Sequence, residues 1–181
     1  MRTKVIALFA ILVSFFMLNH QAWANSQTAL TELTNLPELA MQSNQQQLPI
    51  MLIFGAEWCE YCEILDEYVF TPMILGKLYD NKLMLMRHVG LDEPESITDW
   101  DGQSLTKEQW AYKLDADLTP TVLFVNAQGK EIAPRIIGIP EISLYANVIH
   151  RNLNIAYKNM GLSRQIPATP ELLDKQSLQA R

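Results

Sequence analysis

The chain has 181 residues and carries 14 lysines and arginines against 20 aspartates and glutamates, which gives a net charge of −6 at neutral pH. A chain this acidic has no basic surface for nucleic acid or anionic lipid, so both are excluded as partners. Its length suits one domain whose hydrophobic core needs no disulfide or metal to support it.

The first 24 residues have the layout of a secretory signal peptide. Two of the first four residues are basic, residues 5–18 are almost entirely apolar, and Ala22-Trp23-Ala24 offers small residues for cleavage. The apolar run is shorter than the roughly 20 residues that span a bilayer, so we expect cleavage after Ala24 rather than an uncleaved anchor. We therefore expect an exported protein with no membrane anchor after cleavage.

The rest of the chain is expected to form a domain over 25–160 and a polar, loosely packed tail over 161–181. Residues 26–47 have a partial apolar face at helical spacing, and residues 50–54 form the unbroken apolar run of a buried strand.

Helices and strands continue to alternate after this strand. One helix is predicted from Cys59 and another over 71–79, and residues 83–89 form a second buried strand. A polar loop over 92–106 leads into a short helix over 106–114, which starts with a capping box.

The C-terminal part of the domain contains a predicted hairpin, with apolar strands over 121–125 and 130–137 joined by a turn. A long amphipathic helix follows from Pro140. Strands that alternate with helices and then end in a hairpin predict an α/β fold. Its central mixed sheet has about four to five strands and is flanked by helices.

Only two cysteines occur, Cys59 and Cys62. A bridge between them closes too short a loop to stabilise the fold much. A zinc site needs about four ligands, and His88 and His150 lie far away in the sequence, so we assign no metal and no other cofactor. A Cys-x-x-Cys pair at a strand-to-helix junction is instead a redox signature.

The position of the pair predicts a role for each cysteine. The N-terminus of a helix offers free N–H groups and a partial positive charge, and both stabilise a thiolate. Cys59 is expected at this exposed end and is the predicted nucleophile. Cys62 lies one turn further in and is the predicted resolving thiol, which attacks the mixed disulfide that Cys59 forms.

Several motifs together resemble the thioredoxin superfamily. They are Phe54-Gly55-Ala56-Glu57-Trp58-Cys59-Glu60-Tyr61-Cys62, then Thr119-Pro120-Thr121, then Gly129-Lys130 and Gly138. The chain looks most similar to SoxW-like periplasmic thioredoxins and thiol:disulfide interchange proteins. The resemblance implies a thioredoxin-like fold, a cis peptide bond before Pro120 facing the disulfide, and a Thr119 backbone that receives an extended substrate.

The resemblance also implies a function. It implies a thiol:disulfide oxidoreductase that receives electrons from a DsbD-type membrane thiol carrier, and the signal peptide predicts that it acts on exported proteins in the periplasm. We favour a disulfide reductase, because an isomerase typically needs a dimer and the sequence offers no separate dimerisation domain. Trp58 is expected to bind substrate as a cover over the disulfide, and a purely structural aromatic is the alternative. Other functional alternatives are a disulfide isomerase, a copper-binding or metal-delivery module on the same fold, and an adaptor whose cysteine pair is inert.

Two residues depart from the thioredoxin pattern. Ile53 stands where thioredoxins carry a buried acid, so the proton relay assigned to that acid is missing or is done otherwise. His88 aligns with the lysine that pairs with this acid. A histidine titrates near neutral pH and could serve as the base for Cys62. The alternative, which we favour, is a strand residue that faces solvent or a neighbouring helix.

The dipeptide between the cysteines is Glu60-Tyr61, and it is expected to tune the redox pair. A carboxylate beside Cys59 disfavours the thiolate, which destabilises the reduced protein and favours a reductant. The alternative is that Glu60 faces solvent, which screens its charge.

Residues 93–118 include an insertion relative to thioredoxin that leads into Thr119. We expect it either to shape which clients dock or to be a tolerated surface insertion.

Overall fold

The computed structural model describes residues 30–179, so the predicted signal peptide lies outside the described residues. The helices are α1 (Leu36–Gln46), α2 (Glu60–Leu65), α3 (Thr71–Leu75), α4 (Lys107–Lys113), α5 (Tyr145–Asn159) and α6 (Pro170–Gln179). A π-helical turn over Asp66–Phe70 joins α2 to α3, and a 3-10 turn over Ile142–Leu144 precedes α5. The strands are β1 (Ile50–Gly55), β2 (Leu85–Gly90), β3 (Ser96–Thr98), β4 (Ser104–Thr106), β5 (Thr121–Val125) and β6 (Glu131–Ile137).

Four of the strands form a central mixed sheet in the order β2-β1-β5-β6. β1 runs parallel to β2 and antiparallel to β5, and β5 and β6 form an antiparallel hairpin. All six residues of β1 are buried, because this apolar strand lies inside a sheet that is covered on both faces. The predicted α/β fold, with a mixed sheet flanked by helices, is confirmed.

Two apolar clusters lie on opposite faces of the sheet. On one face, Met51 and Ile53 of β1 belong to a cluster that includes side chains of α3 and α5. On the other face, Leu52 and Phe54 belong to a cluster with α1 and α4, in which Phe54 lies 5.6 Å from the indole of Trp110, centroid to centroid. Side chains of β1 alternate between the two clusters because successive residues of a strand point to opposite faces.

The segment before α1 is extended, whereas the sequence predicted a helix there. Residues 31–33 lie along the outer edge of β2 and make two backbone hydrogen bonds to His88, of 2.8 and 2.9 Å. The helix begins only at Leu36, because Asn35 caps it with its side chain. The extended segment brings Glu32 next to His88.

The predicted loop over 92–106 contains a small antiparallel hairpin, β3–β4. Ile97 is its one fully buried residue, so these short strands give almost no alternation of apolar and polar residues. The helix α4 then begins with the predicted capping box of Thr106 and Gln109.

The segment over 161–179 contains α6, which the sequence did not predict. Pro170 stands at its first position, where the missing N–H of proline costs no helical hydrogen bond. Ile166 is buried and exchanges backbone-to-side-chain hydrogen bonds of 2.8 and 2.9 Å with Asn154 of α5, which attaches this segment to the domain. Within residues 30–179, no helix is long and apolar enough to cross a membrane.

Candidate active site

The cysteine pair lies at the start of the helix that follows the central strand. β1 ends at Gly55, and Cys59 is the N-cap residue of α2. A disulfide joins Cys59 to Cys62, and the Cys62 N–H donates to the Cys59 sulfur at 3.2 Å. A thiolate on Cys59 would keep this hydrogen bond and the positive end of the helix, which together activate a nucleophilic cysteine.

The exposure of the two cysteines differs from the expectation. Cys59 is 6% exposed in the disulfide form, and Cys62 is half-buried. The sequence had placed Cys59 at the exposed end of the helix. The reason for the difference is the capping role of Cys59, because a side chain that accepts an N–H from the first turn folds back over that turn.

Exposed aromatic side chains flank the disulfide. Trp58 is 72% exposed and Tyr61 is 63% exposed. Both side chains therefore offer apolar surface to a docking protein beside the two sulfur atoms.

Thr119 and Pro120 lie at the same edge of the sheet as the disulfide. β5 begins at Thr121, whose register partner is Phe54, one residue before the end of β1. The peptide bond between Thr119 and Pro120 is cis. The Pro120 carbonyl accepts the N–H of Gly138 at 2.8 Å, which ties this loop to the end of β6.

Acidic residues flank the cysteine pair in the sequence. Glu57, Glu60 and Glu63 are all exposed. The Asp92 carboxylate adds a fourth negative charge nearby and accepts the Glu57 N–H at 2.8 Å. No lysine or arginine occurs between Gly55 and Phe70, so the local charge along this segment is negative.

His88 belongs to a hydrogen-bonded cluster beside the cysteines. Its Nδ1 lies 2.5 Å from one carboxylate oxygen of Glu32. The other oxygen of Glu32 accepts the Lys107 ammonium at 2.6 Å and the Gly90 N–H at 2.9 Å. Burial raises the pKa of Glu32, but hydrogen bonds from His88, from the Gly90 N–H and from Lys107 outweigh it and hold the pKa below its ordinary value.

The other ring nitrogen of His88 faces the cysteines across Gly55. A Cβ placed on Gly55 would lie 2.8 Å from His88 Nε2 and 3.4 Å from Cys62 Sγ. The two atoms therefore border the same space above this glycine. The favoured expectation, that His88 faces solvent or a helix, is wrong, because one ring nitrogen contacts Glu32 and the other lies on the side of Gly55 and Cys62.

Sequence reasoning missed Glu32 and Lys107. They are 56 and 75 residues from their partners in the chain, His88 and Glu32 respectively. The one available signal was the pair of departures from the thioredoxin pattern at Ile53 and His88. Among residues 30–179, no group of three or more His, Cys, Asp or Glu side chains is placed to hold a metal ion.

Comparison with known proteins identifies the family. The sequence model of the thioredoxin-like domain matches residues 36–151, which include the cysteine pair and Thr119-Pro120. The chain belongs to the thioredoxin-like domain family. The matched residues include the Cys59–Cys62 disulfide, so the domain carries a disulfide-forming cysteine pair.

Relatives of this thioredoxin-like chain include much longer proteins. The thiol:disulfide interchange protein DsbD of Yersinia pestis is 30% identical over 115 residues, which cover 62% of this chain and 18% of that protein. The DsbD protein of Photorhabdus laumondii is 27% identical over 138 residues, which cover 71% of this chain and 22% of that protein. The chain thus spans about a fifth of the length of these relatives.

Solved structures similar to this thioredoxin-like chain include a thioredoxin-fold protein from Helicobacter pylori. It has 16% sequence identity and a TM-score of 0.49, with 86% of this chain and 87% of that chain covered. The C-terminal domain of DsbD from Neisseria meningitidis, in its oxidised form, has 16% identity and a TM-score of 0.45, with 64% and 90% covered.

Proposed function

We propose that the protein is a periplasmic disulfide reductase that acts on exported proteins. The observation that carries the proposal is the set of three exposed carboxylates that flank the two cysteines in the sequence, Glu57, Glu60 and Glu63. Negative charge beside a thiolate destabilises the reduced protein relative to the disulfide. A dithiol that is less stable in its reduced form gives electrons away more readily, which is the property of a reductant.

The reaction is a pair of thiol–disulfide exchanges. The Cys59 thiolate attacks one sulfur of the client disulfide, and the other client sulfur leaves as a thiolate. The Cys62 thiolate then attacks Cys59 in the mixed disulfide and releases the second client sulfur. The client gains two electrons and two protons, and the Cys59–Cys62 disulfide is left on the protein.

The surfaces beside the disulfide fit a protein client. Trp58 and Tyr61 expose aromatic surface next to the sulfur atoms, and an extended client segment would lie along the Thr119 backbone as an added strand. Exported proteins with disulfides are the proposed clients, since the N-terminal 24 residues have the features of a secretory signal.

The proposed electron donor is a membrane thiol carrier of the DsbD type. A periplasm that is kept oxidising by its own machinery supplies no electrons to a reductant, so a carrier must bring them across the membrane. The similarity to part of DsbD supports a thiol-redox partner for this chain. In cells that lack such a carrier, alkylation should find Cys59 and Cys62 fully oxidised. An unchanged redox state would contradict this partner.

The test of the reductase function compares the two directions of exchange. The purified protein, given dithiothreitol as donor, should reduce insulin disulfides with many turnovers. The oxidised protein should form disulfides in a reduced two-cysteine peptide slowly. A Cys59→Ser variant is the matched control and should do neither. Rapid peptide oxidation with weak insulin reduction would reject the reductase and favour an oxidant.

A further inference from the structure

We propose that Glu32 positions His88 as the base that deprotonates Cys62 in the resolving step. Glu32 comes from the extended segment before α1, and His88 lies at the edge strand β2. The proposal rests on the proposed thiol–disulfide exchange, but it holds in either direction of electron flow.

The hydrogen bonds of Glu32 fix the tautomer of His88. An ionised carboxylate only accepts hydrogen bonds, so the proton between Glu32 and His88 belongs to Nδ1 of the ring. The neutral ring then carries its lone pair on Nε2, the nitrogen on the side of Gly55 and Cys62.

Lys107 fixes the carboxylate in turn. Its side chain is 1% exposed, and its ammonium lies 2.6 Å from Glu32 Oε1. A buried ammonium needs a charged partner, so Lys107 and Glu32 hold each other in one arrangement. Glu32 can therefore change neither its position nor its ionisation without leaving Lys107 unpaired.

Gly55 keeps the space between the base and the thiol open. The Cβ atom of any side chain at this position would lie 2.8 Å from His88 Nε2 and 3.4 Å from Cys62 Sγ. The distance to the nitrogen is shorter than ordinary packing allows. The nitrogen and the sulfur can be no further apart than these two distances combined. Direct proton transfer needs about 2.6–3.2 Å between the heavy atoms, and a wider gap within this limit is bridged by one water molecule.

The charged groups around the ring come from three segments. Glu32 and Lys107 form the ion pair on the Nδ1 side. Glu93, in the turn after β2, lies near the ring edge, because a Cβ on Gly90 would approach both Glu93 Cγ at 2.5 Å and His88 Cε1 at 3.4 Å. Glu93 thus adds negative charge near the ring without occupying the place of Glu32.

With the client attached to Cys59, His88 Nε2 takes the proton of the Cys62 thiol. The Cys62 thiolate attacks Cys59 Sγ, a new sulfur–sulfur bond forms between the cysteines, and the bond from Cys59 to the client breaks. The client sulfur leaves with the electron pair, and the protonated His88 returns the proton to it.

The test isolates this step with a small chromogenic disulfide in place of a client. The reduced full chain reacts with 5,5′-dithiobis(2-nitrobenzoate): Cys59 releases the first thionitrobenzoate, and Cys62 then releases the second. The rate of the second release is followed across the pH range from acid to alkaline. A Cys62→Ser variant should show the first release alone, which identifies the two phases.

The expected result is a second release about tenfold slower at neutral pH in His88→Gln, with the first release unchanged. The difference in this rate between His88→Gln and the wild type should become smaller at alkaline pH, where the Cys62 thiol ionises without a base. Glu32→Gln should show part of this change. Gly55→Ala, which fills the gap with a methyl group and keeps both partners, should slow the second release as well.

The control is Glu93→Gln, which removes a charge near the ring but none of its hydrogen bonds. Thermal unfolding of each variant checks that the fold is intact. An unchanged second release in His88→Gln overturns the proposal, and so does an equal slowing in Glu32→Gln and Glu93→Gln, which would reflect charge alone. Neither result bears on the proposed reductase function, because the assay uses no protein client and no electron donor.

Discussion

At the scale of single residues, Glu60 is the side chain that opposes the reduced state most directly. It follows Cys59 in the sequence, at the first position of α2, and it is exposed. The positive end of the helix stabilises the Cys59 thiolate, and the Glu60 carboxylate counteracts part of that stabilisation. Removing this charge therefore favours the dithiol.

Glu60→Gln should raise the reduction potential of the cysteine pair and make the protein more oxidising. A partly screened charge of this kind is expected to shift the potential by about 10–30 mV. The measurement is equilibration in glutathione redox buffers, followed by alkylation and mass analysis. Glu67→Gln is the control, because Glu67 is also exposed but lies about two helical turns further along. An unchanged or lower potential in Glu60→Gln would contradict the role of this residue.

The two cysteines should be separable by trapping. Cys62→Ser leaves the Cys59 nucleophile in place but removes the thiol that resolves the mixed disulfide, so covalent complexes with client proteins should accumulate. Cys59→Ser should trap none. Non-reducing gel electrophoresis of periplasmic extracts, with and without a reductant, gives the result. Complexes that form through Cys62 in Cys59→Ser would reverse the two roles.

At the scale of elements, the insertion before Thr119 is attached to the domain rather than lying free on its surface. Trp110 of α4 is 1% exposed, and the indole of Trp100, between β3 and β4, packs against it in a tilted arrangement at 5.4 Å between centroids. The Trp100 indole N–H also donates to the Ala127 carbonyl at 3.1 Å. These contacts fasten the insertion to the rest of the domain.

Asp99 organises the turn inside this insertion. Its carboxylate is buried and accepts the Lys113 ammonium at 2.6 Å and the N–H groups of Asp101 and Gln103. The Lys113 hydrogen bond, together with these backbone N–H groups, outweighs burial and holds the pKa of Asp99 below its ordinary value. Asp99→Asn should lower the melting temperature by a few degrees. The neutral amide weakens the ion pair with Lys113, and its NH2 group donates where a carboxylate oxygen accepted hydrogen bonds.

Differential scanning calorimetry measures this change, and Asp101→Asn is its control, since Asp101 contacts the same lysine at 2.6 Å from an exposed position. Equal effects of the two aspartate substitutions would show that the buried network contributes nothing beyond surface charge.

If the insertion also guides clients, shortening the β3–β4 hairpin should change the preference among several disulfide substrates and leave the reduction potential unaltered.

At the scale of the whole molecule, three titratable groups with lowered pKa values make the fold sensitive to acid. Burial lowers the pKa of His150 below its ordinary 6.5, and the neutral ring donates to the Pro167 carbonyl and accepts from the Tyr79 hydroxyl. Glu32 and Asp99 have pKa values below their ordinary 4.5 and 3.8. In all three cases the unfolded chain takes up a proton at a higher pH than the folded protein does.

The free energy of unfolding should therefore fall in two stages on acidification. The first stage begins as the pH falls below 6.5, where His150 of the unfolded chain becomes protonated. The second begins below 4.5, where the stability contributed by ionised Glu32 and then Asp99 is lost. Urea unfolding at a series of pH values gives the curve, and Glu32→Gln should flatten its second stage. A free energy of unfolding that stays constant down to about pH 4 would contradict these assignments.

The features that the sequence predicted are those set by neighbouring residues. The apolar run of β1, the cysteine pair that starts α2 and the capping box of α4 are all local patterns, and each is present. The cluster of Glu32, His88 and Lys107 was not predictable, since it needs an edge pairing between segments more than fifty residues apart. The hairpin β3–β4 was missed because its polar strands bury little.

The central claim is that the acidic surroundings of Cys59 and Cys62 make this protein a reductant, and the reduction potential of the wild-type pair tests it most directly. Known potentials of this fold run from about −270 mV for thioredoxin to about −120 mV for a strong oxidant. The potential of this pair, measured in glutathione or dithiothreitol redox buffers, should fall in the lower half of that range. A potential near that of the strong oxidant would contradict the claim and leave the thioredoxin-like fold unaffected.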